Sequence, residues 1–239
     1  MKKGIIIALA GKAKSGKDTA ASIINYIYNA GTTASFPGWL SHKCSCDINL
    51  KYKQLHFADT LKDVVSTIYK IDREYFDNHE YKDEKYYVFS ERNFIKENVV
   101  KNYNIITIDD LYNNDLSTYL KLYENKACIK LRTLLQYIGT EIGRKKLDDK
   151  IWIKSTLFNA VYIVEKYKFC IISDIRFQNE LDEIKKLNKN SIVIKLNRDA
   201  TKLSHDSENL ELNYFDYEID NNGSIQKLFY NLLEIIQNL

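Results

Sequence analysis

Apolar positions along the chain follow two rhythms. Short continuous runs stand at Ile5-Ile6-Ile7-Ala8-Leu9, Phe169-Cys170-Ile171-Ile172 and Ile192-Val193-Ile194-Lys195-Leu196. Runs of this length, bounded by polar residues, predict strands buried on both faces, as in a parallel sheet. Gln54 to Ala58 and Tyr217-Glu218-Ile219 read as two shorter strands. Between the strands the spacing turns helical. Ala20 to Tyr28 follows the first run. Asp59-Thr60 cap a helix through Leu61, Val64, Val65 and Ile68. Asn179 to Leu187 is amphipathic, and the last helix aligns Ile225, Leu228, Phe229, Leu232, Ile235 and Ile236. Strands alternating with helices predict an α/β fold, with right-handed crossovers and ligands at the carboxyl ends of the strands.

The middle of the chain is less regular. Ile129 to Lys146 predicts one helix with two stripes, an apolar one of Leu131, Leu135, Ile138 and Ile142, and another of Arg132, Gln136, Gly139 and Gly143. Glycine costs a helix about 1 kcal/mol against alanine. Two of them aligned with Arg and Gln imply that something approaches this helix closely, either a ligand or a neighbouring helix. Asp148-Asp149 opens the next helix, with Trp152, Ile153, Leu157, Ala160 and Val161 inward and an end near Tyr167. Thr32 to Lys53 holds the sole proline and reads as an inserted loop or small subdomain. The stretch at about 64–128 reads as a variable region of short helices and connections. One domain over 1–239 with these two departures is the expected organisation.

Composition narrows the class. The chain has 239 residues, 45% of them hydrophobic, enough for a sizeable core. A net charge of +3 without a long Lys/Arg run gives no nucleic-acid footprint. No apolar stretch is long enough to span a membrane. Met1-Lys2-Lys3 and the following run imitate a signal peptide, but Lys12 ends the run and the next motif needs it as a strand. The expected compartment is the cytoplasm, a host's if the chain is viral. The four cysteines, Cys44, Cys46, Cys128 and Cys170, are expected as reduced thiols. His42-x-Cys44-x-Cys46 invites a zinc site, yet no second ligand pair follows, and loop residues are the simpler reading.

The chemistry starts where the first strand ends. Gly11-Lys12-Ala13-Lys14-Ser15-Gly16-Lys17-Asp18-Thr19 lies between a strand and a helix, the arrangement of a phosphate-binding P-loop. Glycines let the backbone wrap a phosphate, while amide N–H groups and the helix N-terminus supply positive potential. Lys17 adds a point charge for the outer phosphates. Asp18 stands where Ser or Thr is usual. An uncompensated carboxylate about 4 Å from a phosphate oxygen costs roughly 4 kcal/mol at an effective dielectric of 20. Asp18 therefore implies an intervening Mg²⁺, held directly or through water, or a lysine partner, and Asp18 and Thr19 are the candidate metal ligands. Transfer of a phosphoryl group also needs cations for the acceptor. Lys62, Lys82, Arg132, Arg144, Arg176 and Arg198 are the candidates. Asp174, at the end of the third strand, could receive an acceptor hydroxyl, bear on the metal or cap the following helix.

These residues resemble a family. Gly11-x-x-x-Ser15-Gly16-Lys17-Asp18-Thr19, Phe57-Ala58-x-x-Leu61-Lys62 and Arg132-x-x-Leu135-Gln136-x-x-Gly139-Thr140 are similar to segments of the bacteriophage-type deoxynucleoside monophosphate kinases. Trp152, Ser173-Asp174-x-Arg176 with Glu180, His205-x-Ser207-Glu208 and Asp220-Asn221-x-Gly223-Ser224 continue the likeness, and Asp18 is shared with that family. The resemblance implies a P-loop kinase three-layer sandwich, with a central, mostly five-stranded parallel sheet and helical lid or insertion elements. It implies ATP and Mg²⁺ as cofactors and a deoxynucleoside monophosphate (dNMP) as partner substrate, in the service of dNTP supply. Gly11, Lys14, Ser15, Gly16, Lys17, Asp18 and Thr19 take the ATP side. Lys62, Lys82, Arg132, Gln136, Gly139, Thr140, Trp152, Asp174 and Arg176 take the dNMP side, with Lys17, Arg132, Asp174 and Arg176 in the catalytic role. Lys82 stands approximately where the family has an arginine, which loses the guanidinium fork. His205 to Glu208 resembles a donor-side segment. A homodimer is carried as an expectation. The rival small-molecule reading is a phosphomevalonate kinase, which shares Ser-Gly-Lys-Asp and Ser-Asp-x-Arg but not Leu135-Gln136-x-x-Gly139-Thr140. A non-catalytic nucleotide-binding regulator is the rival from outside the enzymes.

Overall fold

A computed structural model describes residues 4–12, 14–50, 53–100, 116, 119–175, 177–198 and 212–239, with backbone alone for 44–50. The chain divides into two compact units, one formed by Met1–Phe57 and Ile153–Leu239, the other by Ala58–Trp152.

The first unit is built on five parallel strands in the order β2-β7-β1-β8-β9: β1 (Ile5–Ala10), β2 (Gln54–Leu55), β7 (Phe169–Ile175), β8 (Ile192–Asn197) and β9 (Tyr217–Asp220). Every strand expected from the sequence is present, β2 only as a two-residue edge. Strand β1 lies in the middle, and its side chains alternate between two cores. Ile7 and Leu9 join α1 (Lys17–Ala30), α2 (Phe36–Leu50) and α7 (Ile225–Gln237) on one face. Ile6, Ala8 and Ala10 join α5 (Ile151–Tyr167) and α6 (Gln178–Leu187) on the other. A strand covered on both faces has no place for a polar residue, which is why β1 reads as an unbroken apolar run.

One expectation in this unit is corrected. The stretch after α1 is helical over Phe36–Leu50, not a loop or a subdomain. Ser35 accepts the Gly38 amide at 3.2 Å, Pro37 fits the first turn, and Trp39 is buried with its indole N–H donated to Ser22 Oγ at 3.2 Å. Helix α2 therefore belongs to the layer on α1. Its zinc reading rests on Cys44 and Cys46, whose side chains lie outside the described residues. His42 is engaged locally, with Nδ1 2.9 Å from the Gly38 carbonyl.

The second unit departs further from expectation. It contains α3 (Asp59–Tyr69), but the region read as helical connections forms an antiparallel sheet in the order β4-β3-β6-β5. Its strands are β3 (Lys85–Val88), β4 (Asn93–Lys96), β5 (Lys121–Tyr123) and β6 (Lys126–Lys130). The single helix expected over 129–146 is divided. Cys128 to Lys130 pair with β3 as part of β6, α4 covers Leu131–Gln136, and a π-helix continues over Tyr137–Leu147. Val65, Phe76, Tyr87, Ile129, Leu131 and Leu134 close a core of their own. Among the described residues no helix is long and apolar enough to cross a membrane.

Candidate active site

In the first unit, β1 delivers the chain into the loop that opens α1. Gly11 is held so tightly that an added Cβ would lie 2.4 Å from Ser15 Oγ and 2.7 Å from the Leu196 carbonyl oxygen. Gly16, just before α1, takes a left-handed backbone at φ 95°, where a Cβ is penalised, and faces Asn221. Ser15 is buried. Lys14 and Lys17 follow the same backbone outward, Lys14 exposed and itself left-handed. The Lys17 ammonium donates to the carbonyls of Gly11 at 2.8 Å and Lys12 at 2.7 Å, which places its charge over the loop. The start of α1 and the Lys17 ammonium thus stand at one place, the chemistry that suits an anion.

Two residues without an assigned role in the sequence reading shape this loop. Asn221, buried just beyond β9, donates Nδ2–H to the Ser15 carbonyl at 2.8 Å, and its own amide is fixed on the Asn197 carbonyl at 2.7 Å. Gln54, on β2, places its amide nitrogen 3.3 Å from Asp18 Oδ1, 3.2 Å from His56 Nε2 and 2.5 Å from Ser173 Oγ. The Asp220-Asn221-x-Gly223 segment carried the first signal. Nothing in a short strand carried the second. Thr19 is half-buried one residue after Asp18. Asp18 is exposed, and a carboxylate beside a hydroxyl is oxygen chemistry that suits a hard divalent cation with water still bound. The Gln54 amide N–H is a hydrogen-bond donor to Asp18 and not a ligand.

Asp174 sits at the end of β7, as the sequence suggested, and both of its oxygens accept the Phe57 amide at 3.1 Å. The cap of α6 comes instead from Glu180, whose carboxylate accepts the Phe177 amide at 3.1 Å. Arg198 is exposed at the end of β8. Arg176, His205, Ser207 and Glu208 lie outside the described residues.

In the second unit the expected cations gather with carboxylates. Lys62 Nζ is 2.7 Å from Asp77 Oδ1, and Arg73 bridges Asp59, Asp63 and Asp77. Arg132 grips Asp83 through Nε and Nη2, the latter at 2.9 Å. Burial pushes the Lys82 ammonium below its ordinary value; Asp83 opposes the shift, and the nearby charges of Arg132 and Lys62 add to it. Lys62 and Arg132 are thus each paired with carboxylates, and their charges are felt at Lys82. Gln136 is exposed at the end of α4, and Thr140 and Arg144 are exposed in the π-helix that follows. Gly139 and Gly143 answer the question of close approach from within the protein. A Cβ on Gly139 would meet Leu61 at 2.8 Å, and one on Gly143 would meet the Trp152 ring at 2.5 Å. Trp152 is buried and donates its indole N–H to the Gly139 carbonyl at 2.9 Å. What these glycines admit is Leu61 and Trp152.

The family model for deoxynucleotide monophosphate kinase matches residues 5–232, nearly the whole chain. The chain belongs to that family. Two relatives are consistent with the assignment. The deoxynucleoside-5'-monophosphate kinase of Escherichia phage T5 is 24% identical over 240 residues, covering 91% of this chain and 89% of its own. A provisionally named deoxynucleotide monophosphate kinase of Acanthamoeba polyphaga mimivirus is 29% identical over 126 residues, covering 45% of this chain and 61% of its own. The five-stranded parallel sheet in the first unit of this kinase is consistent with family membership.

Proposed function

We propose that the chain transfers the γ-phosphoryl group of ATP to the 5'-phosphate of a dNMP, giving the diphosphate and ADP, and so serves dNTP supply in the cytoplasm of a host cell. The observation that carries the reading is the loop itself. A buried Ser15, a left-handed Gly16 and an ammonium over the loop carbonyls build an anion cradle that ends in a helix N-terminus. Gly11, Lys14, Ser15, Gly16, Lys17 and Thr19 hold the donor phosphates. Asp18 and Thr19 would hold Mg²⁺, which when bound supplies charge neutralisation on the donor.

In the step itself the bond from the γ-phosphorus to the β,γ-bridging oxygen breaks, and an acceptor phosphate oxygen bonds to the same phosphorus. The pair of electrons leaves with ADP. Lys17 offsets charge on the oxygens in flight, and Arg132, Lys62, Lys82 and Arg176 offset the acceptor's own charge and orient it. Asp174 fixes the backbone at the exit of β2. Gln136 and Thr140 offer hydrogen bonds to the acceptor, while Gly139 and Trp152 keep the helix that carries them in place.

The test is ADP release from ATP across a panel of deoxy- and ribonucleoside monophosphates. Turnover with one or more dNMPs is expected, and Lys17→Ala should abolish it while the circular dichroism spectrum stays unchanged. Turnover with mevalonate 5-phosphate and none with any nucleotide would overturn the reading.

A further inference from the structure

The pairing of Arg132 with Asp83 uses only one edge of the guanidinium. Arginine has two edges that can fork onto an oxyanion, one made by Nε and Nη2 and one by Nη1 and Nη2. Asp83 occupies the first, accepting from Nε and from Nη2 at 2.9 Å. No other partner of Arg132 lies among the described residues. The exposures are unequal: the Asp83 side chain is 12% exposed and that of Arg132 is 55% exposed. The carboxylate is thus the fixed member of the pair, and the arginine is the member that faces solvent.

Asp83 is fixed by its surroundings. It lies in the one-turn π-helix Glu80–Glu84, whose start is pinned by the Lys82 amide on the Asn78 carbonyl at 2.9 Å and whose end is tied by Lys85 to Glu80 at 2.6 Å. His79 Nε2 approaches its second oxygen at 3.4 Å. An isolated exposed ion pair contributes little, because two long side chains lose entropy to hold one geometry. Here the carboxylate comes already placed, so only the arginine is ordered. A residue that offers one guanidinium edge to solvent and has the other anchored is prepared for a second planar or tetrahedral oxyanion.

We propose that Asp83 is a positioning residue, which holds Arg132 by its Nε edge so that the Nη1/Nη2 edge is presented to the acceptor phosphate. The proposal rests on the kinase reading above and deepens it, since the ligand of that edge is the phosphate of the dNMP. Its effect belongs to the acceptor alone. Losing the anchor leaves Arg132 to search many rotamers, so the acceptor must supply the ordering that Asp83 now provides.

Steady-state kinetics on the full chain test this, with KM for a dNMP and KM for ATP measured separately. Asp83→Asn keeps the shape, removes the charge and leaves one acceptor oxygen for a two-pronged donor. It should raise the dNMP KM about tenfold, the scale of one charge-assisted hydrogen bond, and leave the ATP KM unchanged. Asp83→Glu, which restores the carboxylate, should recover part of the loss and guards against a fold defect in Asp83→Asn. Arg132→Lys, which cannot fork, should raise the dNMP KM, and adding Asp83→Asn to it should change nothing more. If Arg132→Lys raises that KM but Asp83→Asn leaves it alone or lowers it, the positioning role is overturned and the kinase reading stands. If Arg132→Lys itself leaves the dNMP KM unchanged, Arg132 is not an acceptor ligand, and the proposal falls with it. A loss in Asp83→Asn shared equally between both substrates would mark a structural role and overturn the proposal as well.

Discussion

Gly16→Ala tests the loop between β1 and α1 most directly, because two separate physical costs meet at one methyl group. The backbone there is left-handed, at φ 95°, and an L-residue in that region loses about 1–2 kcal/mol. The new Cβ would also lie 2.5 Å from Asn221 Nδ2, closer than real atoms stand. Asn221 is buried and has 2.8 Å to the Ser15 carbonyl to lose, so pushing it aside leaves a buried pair poorly satisfied at about 1–3 kcal/mol. Together the substitution should cost roughly 2–5 kcal/mol. The second cost depends on Asn221 and the first does not. A double-mutant cycle in urea unfolding, followed by circular dichroism, separates them. Asn221→Ala alone should cost about 1–3 kcal/mol, and Gly16→Ala in that background only about 1–2 kcal/mol more. Strict additivity of the two single changes would refute the contact between Asn221 and the loop. A Gly16→Ala protein as stable as the parent would refute the loop conformation itself.

The two helical glycines of the second unit should respond unequally. Gly139→Ala meets the end of a flexible leucine and should cost about 1 kcal/mol or less, whereas Gly143→Ala meets the rigid Trp152 ring and should cost about 1–3 kcal/mol; thermal unfolding ranks them, and the reverse order would refute the packing argument. Acid should expose the carboxylates that pair with Lys62 and Arg132. Burial alone would raise the Asp77 and Asp83 carboxyls, but the hydrogen bonds and charges of Lys62 and Arg73 on one, and of Arg132 with Lys82 and His79 on the other, hold both below their ordinary value. Their contribution is complete above about pH 4, where the unfolded carboxyls are also ionised, and drains as the pH falls further, because the unfolded chain takes up the protons first. Asp77→Asn with Asp83→Asn should flatten the loss of stability between about pH 4 and pH 2; an unchanged acid limb would show that the pairs contribute nothing.

The sequence declared the first unit well and the second badly, and the reason is length and partnership. A strand covered on both faces is an apolar run, so β1, β7 and β8 announced themselves, and Gly16 with Lys17 located the loop between β1 and α1. In the second unit the strands run three to five residues and are rich in tyrosine and lysine, so no period emerges. Cys128 to Lys130 continue the apolar spacing of the helix after them, and only pairing with β3 makes them a strand. Helix α2 was hidden because Gly38 and Pro37 read as breakers, although both fall in its first turn, where they are tolerated. Among the site residues, those with charge or special backbone were legible. Asn221 and Gln54 act through amide hydrogen bonds to partners far along the chain, and a one-dimensional pattern does not record such distances. Gly139 and Gly143 signalled a close approach correctly, and Leu61 and Trp152 are what comes close.

The position of β1 at the centre of its sheet has a consequence for how the molecule comes into being. It pairs with β7 on one side and β8 on the other, with Ile5 opposite Phe169 and Ile7 opposite Ile192. A growing polypeptide thus makes this apolar strand well before either of the strands that pair with it. The second unit, Ala58–Trp152, is continuous in sequence and falls between them. Until β7 and β8 have been made, β1 has no strand to pair with, and the loop that follows it waits on them for its shape.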